Sequence, residues 1–206
     1  MDMTINRPKI YDDITKKCLE IFDDGQSLTV DEILMQLMDL PGVPMHDPFH
    51  HYIMPAASLV AAAIETKADR AALEGWLREA LRRGKTVPGG FCGDCGSCGS
   101  GVGAGIFLSV YTGAKPTKRE FWDVANRGTG YALTKVGSYP GPRCCKRVLF
   151  LATQALSEFA EENLGLKLKV NDDIRCHYYK NNKEAVLKTQ RKYWERKLKQ
   201  EQEDNK

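Results

Sequence analysis

The chain has 206 residues, of which 42% are hydrophobic, enough for one packed domain, or one domain with an extension, without covalent staples. Its formal net charge of +3 is too small to imply a nucleic-acid partner. No run approaches the roughly 20 apolar residues of a membrane helix, and the first eleven residues lack the apolar core of a signal peptide, so a cytoplasmic protein is expected.

The first predicted helix covers residues 10–23, with Ile10, Ile14, Cys18, Ile21 and Phe22 at helical spacing. Thr29 and Glu32 form a capping box, which opens a helix to about Leu40 with Ile33, Leu34, Leu37 and Met38 inward. Pro41, Pro44 and Pro48 then forbid regular helix. Residues 50–66 predict a buried Ala-rich helix carrying Pro55, and residues 68–83 an amphipathic one striped by Leu73, Trp76, Leu77, Ala80 and Leu81. A Gly-Cys loop fills 86–101, followed by a helix of small and apolar residues over 103–111. Thr117 and Glu120 form a second capping box, predicting a helix from there to Val136. Pro140 and Pro142 mark a break before a helix over 144–163 that buries Val148, Leu149, Leu151, Ala152, Leu156 and Phe159. Leu166 to Val170 alternates like a short strand, and residues 184–204 read as a charged terminal helix. The expected fold is all-α: a single compact helical domain with a Gly-Cys loop. Residues 1–40 form its N-terminal part, 41–176 its cysteine-motif core and 177–206 the charged appendage.

Chemistry concentrates in the cysteines. Three of the seven fall in the motif C-x2-C-x2-C (Cys92, Cys95, Cys98), and two more are adjacent (Cys144, Cys145). In a reducing compartment such spacing points to metal or redox chemistry rather than disulfides. The intervening glycines let the backbone curl around a compact inorganic core, and their N–H groups can face its sulfides. The loop runs into a helix N-terminus, which favours the negative charge of a thiolate-ligated cluster. Ferredoxin loops share this opening but continue with C-x3-C-P, which is absent here. A four-iron cluster therefore needs a fourth ligand from elsewhere: Cys144 or Cys145, a histidine, or an open site. Zinc on four cysteines is the alternative, although zinc sites more often use two separated C-x2-C pairs. A metal-free dithiol at Cys144–Cys145, or within the cysteine loop, is a third reading.

His46, His50 and His51 lie within one short Pro-bounded segment. At four-residue spacing His46 and His50 could bind metal or move protons beside the cysteines, with Asp47 orienting one of them; helix capping is the bland account. His177 adjoins Cys176 and could join them. The C-terminal stretch mixes Lys and Arg with Tyr178, Tyr179, Tyr193 and Trp194, but interspersed glutamates favour a solvated helix over an RNA contact. Trp122 is assigned either to core packing or to the edge of the site. Cys18, on an apolar face, is structural.

The segments His46–His51, Met54–Ala56, Gly90–Gly99, Gly103–Ile106 and Pro142–Arg147 resemble a prokaryotic family built on a domain of unknown function, over roughly residues 40–182. That resemblance implies an anaerobic, cysteine-centred role, with Cys92, Cys95, Cys98, Cys144 and Cys145 as the matching positions. It also implies SAM-dependent or radical SAM proteins as partners, because relatives occur joined to SAM-dependent methyltransferase domains. Relatives often carry one more cysteine near the C-terminus, where Ala185 stands here, which argues against a second metal site.

Overall fold

A computed structural model describes residues 6–139, 141–172, 176, 178 and 181–183. Among them are eight helices and no strand: α1 (Arg7–Asp23), α2 (Val30–Met38), α3 (Phe49–Thr66), α4 (Arg70–Gly84), α5 (Phe91–Asp94), α6 (Gly99–Thr112), α7 (Trp122–Gly137) and α8 (Cys145–Leu164). The expected all-α single domain is the observed one. The predicted charged helix over 184–204 and His177 lie outside the described residues.

The central element is α3. Fifteen of its eighteen residues are buried, which its Ala-rich, charge-poor sequence permits on every side. Helices α1, α2, α4, α6 and α8 all pack on it, and one continuous apolar core runs from Ile10 to Tyr178. Helices α1 and α2 therefore share the core of the cysteine-bearing segment. Pro55 lies inside α3 and leaves the His51 carbonyl without its helical donor. Gly103 of α6 and Gly84 of α4 approach that carbonyl, since an added Cβ at either would stand 3.3 Å from the oxygen. The missing hydrogen bond thus falls where two neighbouring backbones come closest.

The capping box at Thr29 forms as expected. The Thr29 hydroxyl accepts from Glu32 N–H, and the Glu32 carboxylate accepts from Thr29 N–H at 2.8 Å. The second box does not form. Residues 115–118 close a turn, with Lys118 N–H donating to the Lys115 carbonyl at 3.0 Å. Phe121 then takes a left-handed φ of 61°, and helix begins only at Trp122. The predicted strand at 166–170 is also corrected. Its alternation buries Leu166 and Leu168 and exposes Lys167 and Lys169. The backbone instead bonds to α2 and α8: Val30 N–H donates to the Lys169 carbonyl at 2.8 Å, and the Ser157 hydroxyl donates to the Leu168 carbonyl at 2.6 Å. With no second strand to pair, an alternating segment lies on helices. Among the described residues no helix is long and apolar enough to cross a membrane.

Candidate functional site

The N-termini of α3, α6 and α8 meet, and the cysteines sit at their junction. The Pro41–Pro48 segment delivers the chain to α3 with Asp47 as its anchor. The Arg7 guanidinium donates two hydrogen bonds of 2.7 Å to the Asp47 carboxylate, and Phe49 N–H donates to the same group at 3.1 Å. Asp47 therefore holds the first turn of α3 through its side chain, leaving its own backbone groups to face the site.

His46, His50 and His51 each have one ring nitrogen engaged. The His50 Nδ1 lies 2.8 Å from the Asp47 carbonyl and the His51 Nδ1 lies 3.0 Å from the Val87 carbonyl. A carbonyl oxygen only accepts, so each Nδ1 carries the proton. Burial holds both rings neutral, pushing His50 down to about 3 and His51 below its ordinary value. Each Nε2 is left with a bare lone pair, and that of His50 is buried without a partner. His46 lies before α3 rather than on it, so it does not share a helical face with His50. Its Nε2 is 3.0 Å from Asn182 Oδ1, and Asn182 Nδ2 donates to the Arg143 carbonyl at 3.3 Å. The His46 Nδ1 is buried and unpartnered. Asn182 has no exposed surface and ties the end of the described chain to the segment before α8.

The cysteine loop opens at Gly90, with φ at 85°, followed by the single turn α5 carrying Cys92. Cys95 is exposed and Cys92 half-buried. Gly96, with φ at 63°, turns the chain toward Cys98, the N-cap of α6. Cys98 makes no capping hydrogen bond of normal geometry. Burial raises its thiol pKa, while the Ser100 and Gly101 N–H groups oppose that rise and the neighbouring Cys92 adds to it.

Cys145 begins α8. Burial pushes its thiol up to about 12; the Asp47 N–H and the Arg143 charge act against this, whereas Cys98 and Cys144 reinforce it. Cys98 and Cys145 are therefore electrostatic neighbours, although the two motifs lie far apart in sequence; Cys98 also feels Cys92 and Cys145 also feels Cys144. Cys144 is 4% exposed and Cys176 is also buried. Beneath the pair, Lys146 donates to the Met38 carbonyl at 2.6 Å, with its ammonium 4.4 Å from the Tyr178 ring centre. Burial lowers the Lys146 pKa, while Asp39, Cys176, Cys144 and Cys145 hold the charge in place. Among the described residues no three His, Cys, Asp or Glu side chains converge as a finished coordination shell. With Cys95 exposed, ligation of one centre requires the Gly-rich loop to fold inward.

Two contributors, Lys146 and Asn182, were given no role from sequence. Lys146 nonetheless shares a helical stripe with buried Leu149, Phe150 and Thr153. Asn182 carries no local signal. His51 is set apart from the other histidines by its contact with Gly99, where a Cβ would overlap the imidazole. Trp122 is not in the core: it is 52% exposed. Cys18 is fully buried, as expected.

This helical, cysteine-centred architecture accompanies a definite family membership. The chain belongs to a family of unknown function, DUF5714, whose profile matches residues 15–194. No curated protein and no solved structure matches it.

Proposed function

We propose that the protein binds an iron–sulfur cluster and serves a redox or sulfur-handling role in anaerobic metabolism, working beside SAM-dependent or radical SAM proteins in the cytoplasm. The observation carrying this reading is the electrostatic proximity of Cys98 to Cys145, which brings the Cys92-x2-Cys95-x2-Cys98 loop to the Cys144–Cys145 pair. The donor chemistry fits such a group. Thiolates are the usual ligands of iron–sulfur clusters. Helix N-termini and the amides of Asp47, Ser100 and Gly101 supply the positive field that a net-negative cluster needs.

Cys92, Cys95 and Cys98 would be three ligands, with the fourth from Cys144 or Cys145. A bound cluster would supply one-electron chemistry or a labile iron site. The chain's own residues exclude water from one side of the centre, through α3 and α8, and hold two neutral imidazoles beside it. The His50 Nε2 and His46 Nδ1 are buried ring nitrogens without a hydrogen-bond partner, and Lys146 offsets negative charge from below.

The test is anaerobic purification with iron, acid-labile sulfide and zinc measured per chain, together with a visible spectrum. About four irons and four sulfides with a broad band near ~400 nm support the reading. Zinc alone makes the protein a zinc-stabilised interaction module. A metal-free, fully folded protein whose thiol count changes reversibly by two makes it a dithiol oxidoreductase.

A further inference from the structure

A cavity lies farther along α6 from Cys98. It measures about 530 Å³ and opens between α4, α6 and the start of α7, a size that suits a small organic ligand. Its floor continues the α6 face that begins at Cys98. Val102 and Ile106 line it at successive four-residue steps, which keep them on one side of the helix. At 1.5 Å per residue they stand about 6 and about 12 Å along the axis from Cys98.

The walls are basic and aromatic. Arg82, Arg83 and Lys115 line the cavity, and no carboxylate does. Glu79 accepts from both guanidiniums, at 2.7 and 2.8 Å from Arg82 and 2.7 Å from Arg83, so one anion offsets two cations. Arg83 is further held by the Ser109 hydroxyl at 2.7 Å. Lys115 is exposed and forms no ion pair among the described residues. A second depression beyond Pro116 adds Lys118 and Arg119, while its Asp123 is engaged by Arg127 at 3.5 Å.

Trp122 forms the wall shared by both depressions. It is presented there by Phe121, whose left-handed φ of 61° is a conformation that bulky residues adopt only under constraint. Beside it, the exposed Asn126 donates its amide N–H to the Trp122 carbonyl at 2.7 Å, and its Oδ1 has no hydrogen-bond partner among the described residues. An exposed indole, an acceptor for a ring amine and a surplus of cations together describe one ligand class.

We propose that this cavity binds a purine nucleoside phosphate, with the base stacked on Trp122 and hydrogen-bonded to Asn126, and the phosphate on Lys115 and Arg82. Base stacking on an aromatic side chain works for any purine, and the cations select the phosphorylated form.

The test is calorimetric titration of the reduced, anaerobically purified full chain with AMP, ADP, adenosine and inorganic phosphate. AMP or ADP is expected to bind at one site per chain, with adenosine and phosphate each at least tenfold weaker and affinity falling as salt rises. Trp122→Ala and Lys115→Glu each weaken AMP binding at least tenfold, while circular dichroism and the thermal midpoint stay unchanged because both side chains are exposed. The proposal is overturned by absence of heat at millimolar AMP and ADP, or by affinities the two variants do not move. Phosphate binding as tightly as AMP also overturns it, leaving only an anion patch, as does a single-stranded oligonucleotide binding far more tightly than AMP. The measurement is independent of metal content, so its failure leaves the cluster reading standing.

Discussion

The imidazole of His51 lies directly against the α-carbon of Gly99, the first residue of α6 and the neighbour of Cys98. The ring is fixed from its other side by the Val87 carbonyl at 3.0 Å. Glycine at this position is thus a packing requirement of the site. Gly99→Ala should cost about 1–3 kcal/mol of folding stability, the usual range for an added methyl with nowhere to go. Gly93→Ala, where an added Cβ meets nothing within 4 Å, should stay within about 0.5 kcal/mol. Urea unfolding of the pair reads the difference; equal midpoints would remove His51 as a fixed wall.

His50 should make stability depend on pH. Its ring ionises near 6.5 in the unfolded chain and, because burial disfavours the cation, near 3 when folded. Between those values the unfolded state binds the extra proton. The stability is fully present above the unfolded pKa and declines as pH falls, with a slope approaching about 1.4 kcal/mol per unit. His51, shifted the same way, adds to the trend. Denaturant titrations at pH 7, 6, 5 and 4 should show a shallower decline for His50→Gln than for the wild type. Parallel lines would refute a neutral buried His50.

The thiols should alkylate in a defined order. Cys95 is exposed, whereas burial pushes Cys145 up to about 12 and leaves little thiolate at neutral pH. In reduced, metal-free protein, timed iodoacetamide labelling read by mass spectrometry should modify Cys95 first, with Cys145 and the fully buried Cys18 last. Early labelling of Cys145 would place it outside the helix junction.

Arg7→Ala should reach the site indirectly. The guanidinium fork holds Asp47, which is 13% exposed, at two contacts of 2.7 Å. Its loss should cost about 1 kcal/mol, since the pair is only partly buried. It should also loosen the Asp47 backbone whose N–H faces Cys145. Faster labelling of Cys145 than in the wild type is the readout; unchanged labelling would show that Asp47 is held by Phe49 N–H alone.

Much of the helix layout is legible in residue spacing. The stripe Ile10, Ile14, Cys18 and Ile21 is buried as read, as are Leu73, Leu77 and Ala80. These assignments hold because helical periodicity and burial are local consequences of the same sequence. The errors fall where a local signal had no partner. Thr117 and Glu120 have the right spacing for a cap, but a turn at Lys115–Lys118 and the left-handed Phe121 occupy the chain first. Leu166–Val170 alternates, yet finds helices on either side of it. Trp122 looks apolar in composition and is exposed by its place at the head of α7.

The residue pattern by itself determined that this is a helical chain carrying two cysteine motifs and a histidine segment, because amphipathic spacing and ligand-type clustering are written along the chain. Only the tertiary structure decided which groups face one another. Packing α6 and α8 on α3 brings Cys98 within electrostatic reach of Cys145 and turns His51 onto Gly99. It separates His46 from the face of His50 and sets Val102, in the wall of the basic, aromatic cavity, one helical turn from Cys98. Such neighbours depend on helices meeting at particular registers, and register is set by the fit of buried side chains contributed from the whole chain.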